Sequence, residues 1–433
     1  MQPAARVSRT SGQGTGTESR TGRWMGALLR AAHAVEGPLD AAVRRRSWRR
    51  AHGRAVALVP FDGYGNAETF RAGGRVVLDP RIGTQGAADP LWRNVVATWR
   101  RLESDEVPGA RVALDLGGRH VEAVTDEEGY FSFVLPSPAD LVPGWREMPI
   151  EIVSLPAELA GRPRAGGGRL RVLVPPPDAR FAVASDLDDT VVETGVTRKL
   201  VMARNVLLRN AHTRMPFPGV AAFYRALAAP PPGSEPIPPL PPGGAPRERV
   251  GNPLFYVSAS PWNLYDLIVR FLALQGLPAG PLLLRDLGLE RGRLVLASSE
   301  DHKVAQLTRL LETYPSLRWI LVGDSGERDP EIYAEIVRAH PGRVLAVYLR
   351  EVSGPHPLRR RQVAELAEEV EAGATGRPGV PFLHVPDTVT AAVHAAEHGW
   401  IRGEDVDWVR QDRRLEEVRP TPTEAAIKGS DEV

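Results

Sequence analysis

Between residues 55 and 178, apolar positions recur at every second residue: Val56 and Leu58; Val112, Leu114 and Leu116; Phe131, Phe133 and Leu135; Ile150 and Ile152; Leu170, Val172 and Val174. Period two is the pattern of a strand with one face on a core. Thr125-Asp-Glu-Glu-Gly129 separates two of these runs and reads as a turn. Short antiparallel strands at this spacing predict a small β-sandwich. No chemistry-bearing constellation accompanies them, so the expected role of this domain is scaffold or partner binding.

The pattern changes after Pro175-Pro-Pro177. Four apolar runs, Phe181–Ser185, Leu254–Ser258, Trp319–Val322 and Val344–Leu349, alternate with helical stretches such as Val304–Thr313 and Pro330–Arg338. Strands alternating with helices predict an α/β domain built on a doubly wound, Rossmann-like parallel sheet. Nine prolines between Pro230 and Pro246 interrupt it. Their PxxP spacings suit an SH3-like module, but an inert surface insertion at 230–250 is the expectation. The implied organisation is a basic N-terminal segment over 1–54, a β-rich domain over 55–178, the α/β domain over 179–405 and a charged tail over 406–433.

Charge changes the picture at the N-terminus. The chain is nearly balanced, with 54 Lys+Arg against 53 Asp+Glu, yet residues 1–54 hold 11 Arg against Glu18, Glu36 and Asp40. Residues 1–22 have the Ser/Thr/Gly/Arg composition of a disordered segment. Trp24, Met25, Leu28, Leu29, Ala32 and Val35 then recur at helical spacing, followed by Arg44, Arg45, Arg46, Arg49 and Arg50. Two readings stand for this basic amphipathic stretch: a solvated helix docked on the next domain, or peripheral contact with anionic lipid. Nucleic acid is not an expected partner, because no binding motif accompanies the charge. The chain has no Cys, which excludes disulfides, thiolate metal sites and Cys nucleophiles. No apolar run reaches the ~18 residues of a membrane helix, and no signal peptide is recognisable. A soluble, cytoplasmic protein is expected.

Open parallel sheets bind ligands beyond the C-terminal ends of their strands. The chemistry-bearing residues fall there. Phe181–Ser185 is followed by Asp186-Leu-Asp188-Asp-Thr190, Phe255-Tyr-Val257 by Ser258, and Trp319–Val322 by Gly323-Asp324 and then Asp329. Lys303 opens the helical run before the third of these strands. Asp186 can act as a nucleophile on phosphorus, splitting one hard displacement into two easier ones. Asp188 can protonate the leaving oxygen and later take a proton from water. Asp324 and Asp329 converging on Asp186 and Asp188 need a cation between them, and an all-oxygen set favours Mg²⁺. Ser258 and Lys303 would hold the phosphoryl oxygens; Thr190 and Ser260 are the further substrate-binding candidates.

As a set, Asp186-x-Asp188-x-Thr190, Ser258, Lys303 and Gly323-Asp324-x₄-Asp329 resemble the four motifs of the haloacid dehalogenase-like superfamily. A closer resemblance, to the fungal actin-patch phosphatidate phosphatase family and its bacterial relatives, rests on Ser185–Thr190, Tyr256–Trp262, His302-Lys303 and Val322–Tyr333. It implies a magnesium-dependent phosphatase acting on a lipid phosphate monoester, with diacylglycerol as product. A phosphatase for a soluble monoester or phosphoprotein is the alternative, and a non-catalytic lipid- or protein-binding module a second. Nothing in the sequence sets the oligomeric state.

Other candidates carry less. Glu193–Met215 can form a flap whose Leu200, Val201, Met202, Val206, Leu207 and Leu208 either face an acyl chain or close a cap. Arg285-Asp286 reads as a surface ion pair. His394-Ala-Ala-Glu397-His398 matches a zinc-protease pattern with no third ligand in view.

Overall fold

The computed structural model describes Trp48 and residues 54–79, 106–138, 141–164, 167–187, 218–230, 250–285, 298–351, 357–373 and 378–418. Contacts divide the chain into Met1–His52 and Gly53–Val433. The expectations for Trp24–Arg50 other than Trp48, and for Asp188, Thr190, Glu193–Met215, Asp286 and the proline-rich segment beyond Pro230, fall outside the described residues.

In the larger unit the first layer is a seven-stranded sheet of β1 (Ala55–Gly65), β2 (Thr69–Asp79), β3 (Arg111–Leu116), β4 (Arg119–Val124), β5 (Tyr130–Pro136), β6 (Gly144–Ser154) and β7 (Gly168–Val174). Its order is β4-β3-β6-β7-β1-β2-β5, antiparallel throughout except where β1 meets β7. Each alternating apolar run lies in one of these strands. The predicted turn forms too: Asp126 Oδ1 accepts from the Glu128 and Tyr130 amides, and Gly129 adopts φ 78°.

A two-sheet sandwich is not what results. One sheet coils until its end strands β4 and β5 approach each other. Strands β1, β2 and β6 are 11 residues long, and β1 carries a register irregularity between Phe61 and Tyr64. Long twisted strands with a bulge curl a single sheet so that its own two halves face each other across the core. Alternation reports which side chains point inward, not whether the facing strands belong to one sheet or two.

The second layer is a six-stranded sheet, β10-β9-β8-β11-β12-β13, parallel throughout. Its strands are β8 (Ala182–Asp186), β9 (Leu254–Pro261), β10 (Leu282–Arg285), β11 (Trp319–Asp324), β12 (Val344–Arg350) and β13 (Phe382–Val385). Helices α1 (Val220–Ala228), α2 (Tyr265–Leu274), α6 (Thr388–Glu397) and α7 (Gly403–Val418) pack on one face. On the other face lie α3 (Ser299–Thr313), α4 (Asp329–Ala339) and α5 (Pro357–Ala372). Winding runs outward from β8 to β10, then returns to β11 and continues the other way. With right-handed crossovers, that reversal is what moves the helices to the opposite face. It also opens a crevice between β8 and β11 at their C-terminal ends, where such sheets take ligands.

Residue 178 falls between the two sheets, with β1–β7 before it and β8–β13 after it, and the two layers pack on each other. Phe61 of β1 stacks on Trp262 at 4.7 Å and meets the Tyr265 ring at 4.4 Å. Tyr265 Oη accepts a hydrogen bond from the Asp62 amide at 2.7 Å. Residues 406–418 are helix rather than tail: Val406 and Val409 are buried in the core, and Asp412 accepts from the Ala222 amide. Charged residues cover α7's outer face, so its average composition hides the buried Val pair. Among the described residues no helix is long and apolar enough to cross a membrane.

Asp62 offers a test of the contact between the layers. Burial pushes its carboxyl from an ordinary 3.8 up to about 6, with Arg171 at 3.2 Å pulling the other way. A raised folded-state value means that protonated Asp62 favours the fold below about pH 4, and that this contribution is lost as pH rises through about 6, by on the order of 2–3 kcal/mol. Asp62→Asn is expected to flatten the dependence of the urea midpoint on pH between about 4 and 6.5. The same slope in parent and variant would clear Asp62 of any such role.

Candidate active site

Asp186 is the last residue of β8, and the strand delivers it by being apolar on both faces: Ala182, Val183 and Ala184 are at most 1% exposed. Beside it, β9 carries Ser258, whose Oγ accepts from the Ser260 amide at 3.0 Å. Both serines are buried, and Ser260 Oγ has no hydrogen-bond partner within the described protein. Tyr224 of α1 braces the nucleophile candidate from behind, its hydroxyl 2.7 Å from Ser185 Oγ, which donates to the Asp186 carbonyl.

Lys303 comes from α3, which starts at Ser299 under a capping box formed by Ser298 and Asp301. The lysine therefore sits in the second turn rather than at the opening of the helix. It shares the inward face with Leu307, Leu310 and Leu311, at the spacing of a buried helical stripe. An ammonium at a core position needs anionic partners, and it has them. Lys303 Nζ lies 2.7 Å from Asp186 Oδ1, 2.9 Å from Asp329 Oδ1 and 3.8 Å from Glu327 Oε2.

Asp324 ends β11, and Asp329 opens α4. Asp324 Oδ1 accepts from the amides of Gly326 and Glu327, a side-chain-closed turn that fixes the connecting loop. Asp329 Oδ2 accepts from the Asp324 amide at 3.2 Å. Gly323 makes this possible: a Cβ there would lie 2.3 Å from Asp329 Oδ2 and 2.8 Å from Tyr333 Cε2. Tyr333 in turn donates to the Val322 carbonyl at 2.8 Å. Burial, then the Asp329 and Asp186 charges, raise the Tyr333 hydroxyl well above its ordinary value. Burial likewise raises Tyr224, against the pull of Arg350. Both phenols thus remain neutral hydrogen-bond donors.

Oxygens of Asp186, Asp324 and Asp329 lie within 4.8 Å of one another, and all three residues are buried. Three carboxylates against the single ammonium of Lys303 leave an excess of two negative charges. A divalent cation with oxygen ligands fits that excess and that donor set. The expected residues Asp186, Ser258, Ser260, Lys303, Asp324 and Asp329 thus gather at one edge of the sheet. Asp188 and Thr190 lie outside the described residues. Arg285 ends β10, away from the carboxylates' strands. His394 bonds through Nδ1 to Tyr348 Oη and His398 Nδ1 to the His394 carbonyl, so this pair serves the helix end.

Sequence reasoning assigned no role to Tyr224, Glu327 or Tyr333. Tyr333, four residues after Asp329 on the same helix, could have been found by helical spacing, whereas Glu327 lies in the loop before the helix starts. Tyr224 gives no local signal, because its partner Ser185 is 39 residues away.

Gly323→Ala is expected to displace the Asp329 carboxylate while leaving the sheet intact. Overpacking of this kind costs about 1–3 kcal/mol. The rise in melting temperature on adding millimolar divalent cation should disappear in the variant and persist in the parent. Equal cation-induced shifts in both would show that Gly323 does not protect the site.

Residues 181–351 match the family model described as phosphatidate phosphatase APP1, catalytic domain. Phosphatidate phosphatase APP1 of Saccharomyces cerevisiae is 29% identical over 171 residues, covering 39% of this chain and 26% of its own length. The uncharacterized protein C29B5.04c of Schizosaccharomyces pombe is 25% identical over 177 residues, 40% of this chain and 25% of its own. The chain thus spans about a quarter of the length of these curated relatives. Among solved structures, a carbohydrate acetylesterase from Xanthomonas citri aligns over 74% of this chain and 66% of its own, at 12% identity and a TM-score of 0.25, too slight a likeness to bear on fold or activity. Over residues 181–351, then, the chain is similar to the phosphatidate phosphatase APP1 catalytic domain.

Proposed function

We propose that this domain is a haloacid dehalogenase-like, Rossmann-type phosphohydrolase that converts phosphatidate to diacylglycerol through an aspartyl-phosphate on Asp186. The observation that carries the reading is the buried Asp186 carboxylate at a strand end, held by Lys303 beside Asp324 and Asp329. A surface carboxylate would be hydrated and free to rotate. Here the ammonium fixes one oxygen, and burial strips water from the group, as a nucleophile for in-line attack requires.

Ser258 and Lys303 provide donors for the phosphoryl oxygens, with the partnerless Ser260 hydroxyl a further donor and Thr190 a fourth candidate. Asp188, two residues past the nucleophile, takes the role of acid toward the leaving alkoxide and of base toward the hydrolytic water. Asp186, Asp324 and Asp329, with Asp188, would hold Mg²⁺, which when bound offsets their charge and that of the phosphate. The lipid substrate is carried over from the similarity to the APP1 catalytic domain. The Arg-rich segment before residue 55 supports a peripheral approach to an anionic surface.

Phosphate release from short-chain phosphatidate, vesicle phosphatidate and soluble monoesters tests the reading. Asp186→Asn should lower turnover by on the order of 10³ or more, since an amide oxygen does not attack phosphorus. Trapping the parent during turnover should yield an acid-stable, hydroxylamine-sensitive phosphoprotein that the variant lacks. Turnover of soluble monoesters alone would reject the lipid substrate, and undiminished turnover in Asp186→Asn would reject the nucleophile.

Cation identity provides a separate check. Activity should vanish after exhaustive chelation and return with Mg²⁺ but poorly with Ca²⁺, which takes more ligands at longer distances. Full activity in the metal-free protein would overturn the assignment of Asp324 and Asp329 as cation ligands.

A further inference from the structure

One side chain grips the loop joining Asp324 to Asp329 at several points from outside the site, beside the 3.1 Å ion pair of the loop's Arg328 with Glu300. Arg359 lies in the first turn of α5, beyond the residues that match the family model. Its Nε donates to the Ser325 carbonyl at 3.2 Å, and its Nη2 donates to the Glu327 carbonyl. The same guanidinium grips Glu331 bidentately, Nη1 to Oε1 and Nη2 to Oε2 at 3.0 Å. Glu331 sits two residues after Asp329 in the first turn of α4. One planar group therefore ties the residue after Asp324, the middle of the loop, and the helix that presents Asp329.

We infer that Arg359 is a positioning residue that sets the spacing between the Asp324 and Asp329 carboxylates and so tunes the cation affinity of the site. The inference rests on the proposed cation role of those carboxylates. The amides of this loop already bond inward, those of Gly326 and Glu327 to Asp324 Oδ1. Two of its carbonyls point the other way and need donors. Arg359 supplies these with a rigid fork whose donors diverge in one plane, a geometry that lysine's single ammonium does not reproduce. Its side chain is 19% exposed and that of Glu331 33%, so the pair is partly shielded from water. The acidic neighbours reinforce the charge: the Glu331 hydrogen bond first, with Asp324 and Asp329 adding to it, holds the guanidinium above its ordinary value.

Charge and position predict opposite signs, which makes the inference testable. Removing a cation near three carboxylates should tighten divalent-cation binding if Arg359 acts only through its field. Loosening the loop should weaken it. The experiment is Mn²⁺ binding to the full chain, followed by electron paramagnetic resonance without substrate, for the parent, Arg359→Gln and Arg359→Lys. Loss of a partner that orients metal ligands typically weakens binding by roughly 10–100-fold, and both variants are expected in that range. If turnover accompanies binding, the apparent KM for cation should rise while kcat at saturating cation stays near the parent value. Arg359→Lys retains the charge and serves alone if Arg359→Gln does not fold.

Tighter binding in Arg359→Gln, or parental affinity in Arg359→Lys, would overturn the inference. A lowered melting temperature with parental Mn²⁺ affinity would do so too, by reducing Arg359 to an anchor for α5. If the parent itself binds no Mn²⁺, the cation reading of the site falls and this inference falls with it. That result is distinct from a parent that binds while its variants bind equally well.

Discussion

A single buried ammonium organises the charged cluster at the C-terminal ends of β8 and β11. Lys303 bridges Asp186 at the end of β8 and Asp329 at the start of α4. Each of the three side chains is at most 5% exposed, so none can exchange its partner for water. Removing one member of such a pair leaves an uncompensated buried charge and costs roughly 3–5 kcal/mol. The constraint reaches outward from there. The face of α3 that places Lys303 must be the same face that Leu307, Leu310 and Leu311 bury, so packing of this helix and geometry of the charged cluster are one requirement. With one ammonium against three carboxylates the cluster keeps a net negative charge, a state consistent with a cation-binding phosphotransfer site.

Around this cluster the protein spends backbone groups rather than further charges. Asp324 is satisfied by two amides of its own loop and Asp329 by the Asp324 amide. Gly323 leaves room for that approach, and Tyr333 ties the strand carbonyl behind it. Backbone donors cannot move without moving the loop. The carboxylate positions are therefore as rigid as the β11-to-α4 connection, and Arg359 fastens that connection from the solvent side. The two buried phenols, Tyr224 and Tyr333, stay neutral and add hydrogen bonds without adding charge.

The coiled β-sheet is part of the same packing. Phe61 lies flat on Trp262, only two residues beyond Ser260, and Asp62 is bonded through its amide to Tyr265. The serine-bearing strand end is thus pinned between its own sheet and a neighbouring layer.

Much of this was legible in the amino-acid sequence. Apolar runs on both faces located β8, β9, β11 and β12, because a strand buried on both sides has no polar alternation to hide it. Polar residues directly after those runs marked Asp186, Ser258 and Asp324 as candidates, because ligands of such sheets bind at the C-terminal strand ends. Strand β4, exposed along much of its length, and the four-residue edge strands β10 and β13 left no such pattern. What tertiary structure alone decided were the relations between segments distant in sequence. Whether alternating strands close as one sheet or two depends on twist and hydrogen-bond pairing. The burial of Val406 and Val409 depends on α1 lying beneath α7. Tyr224 and Arg359 matter through partners dozens of residues away, and local spacing carries no trace of a contact that exists only once the chain has folded.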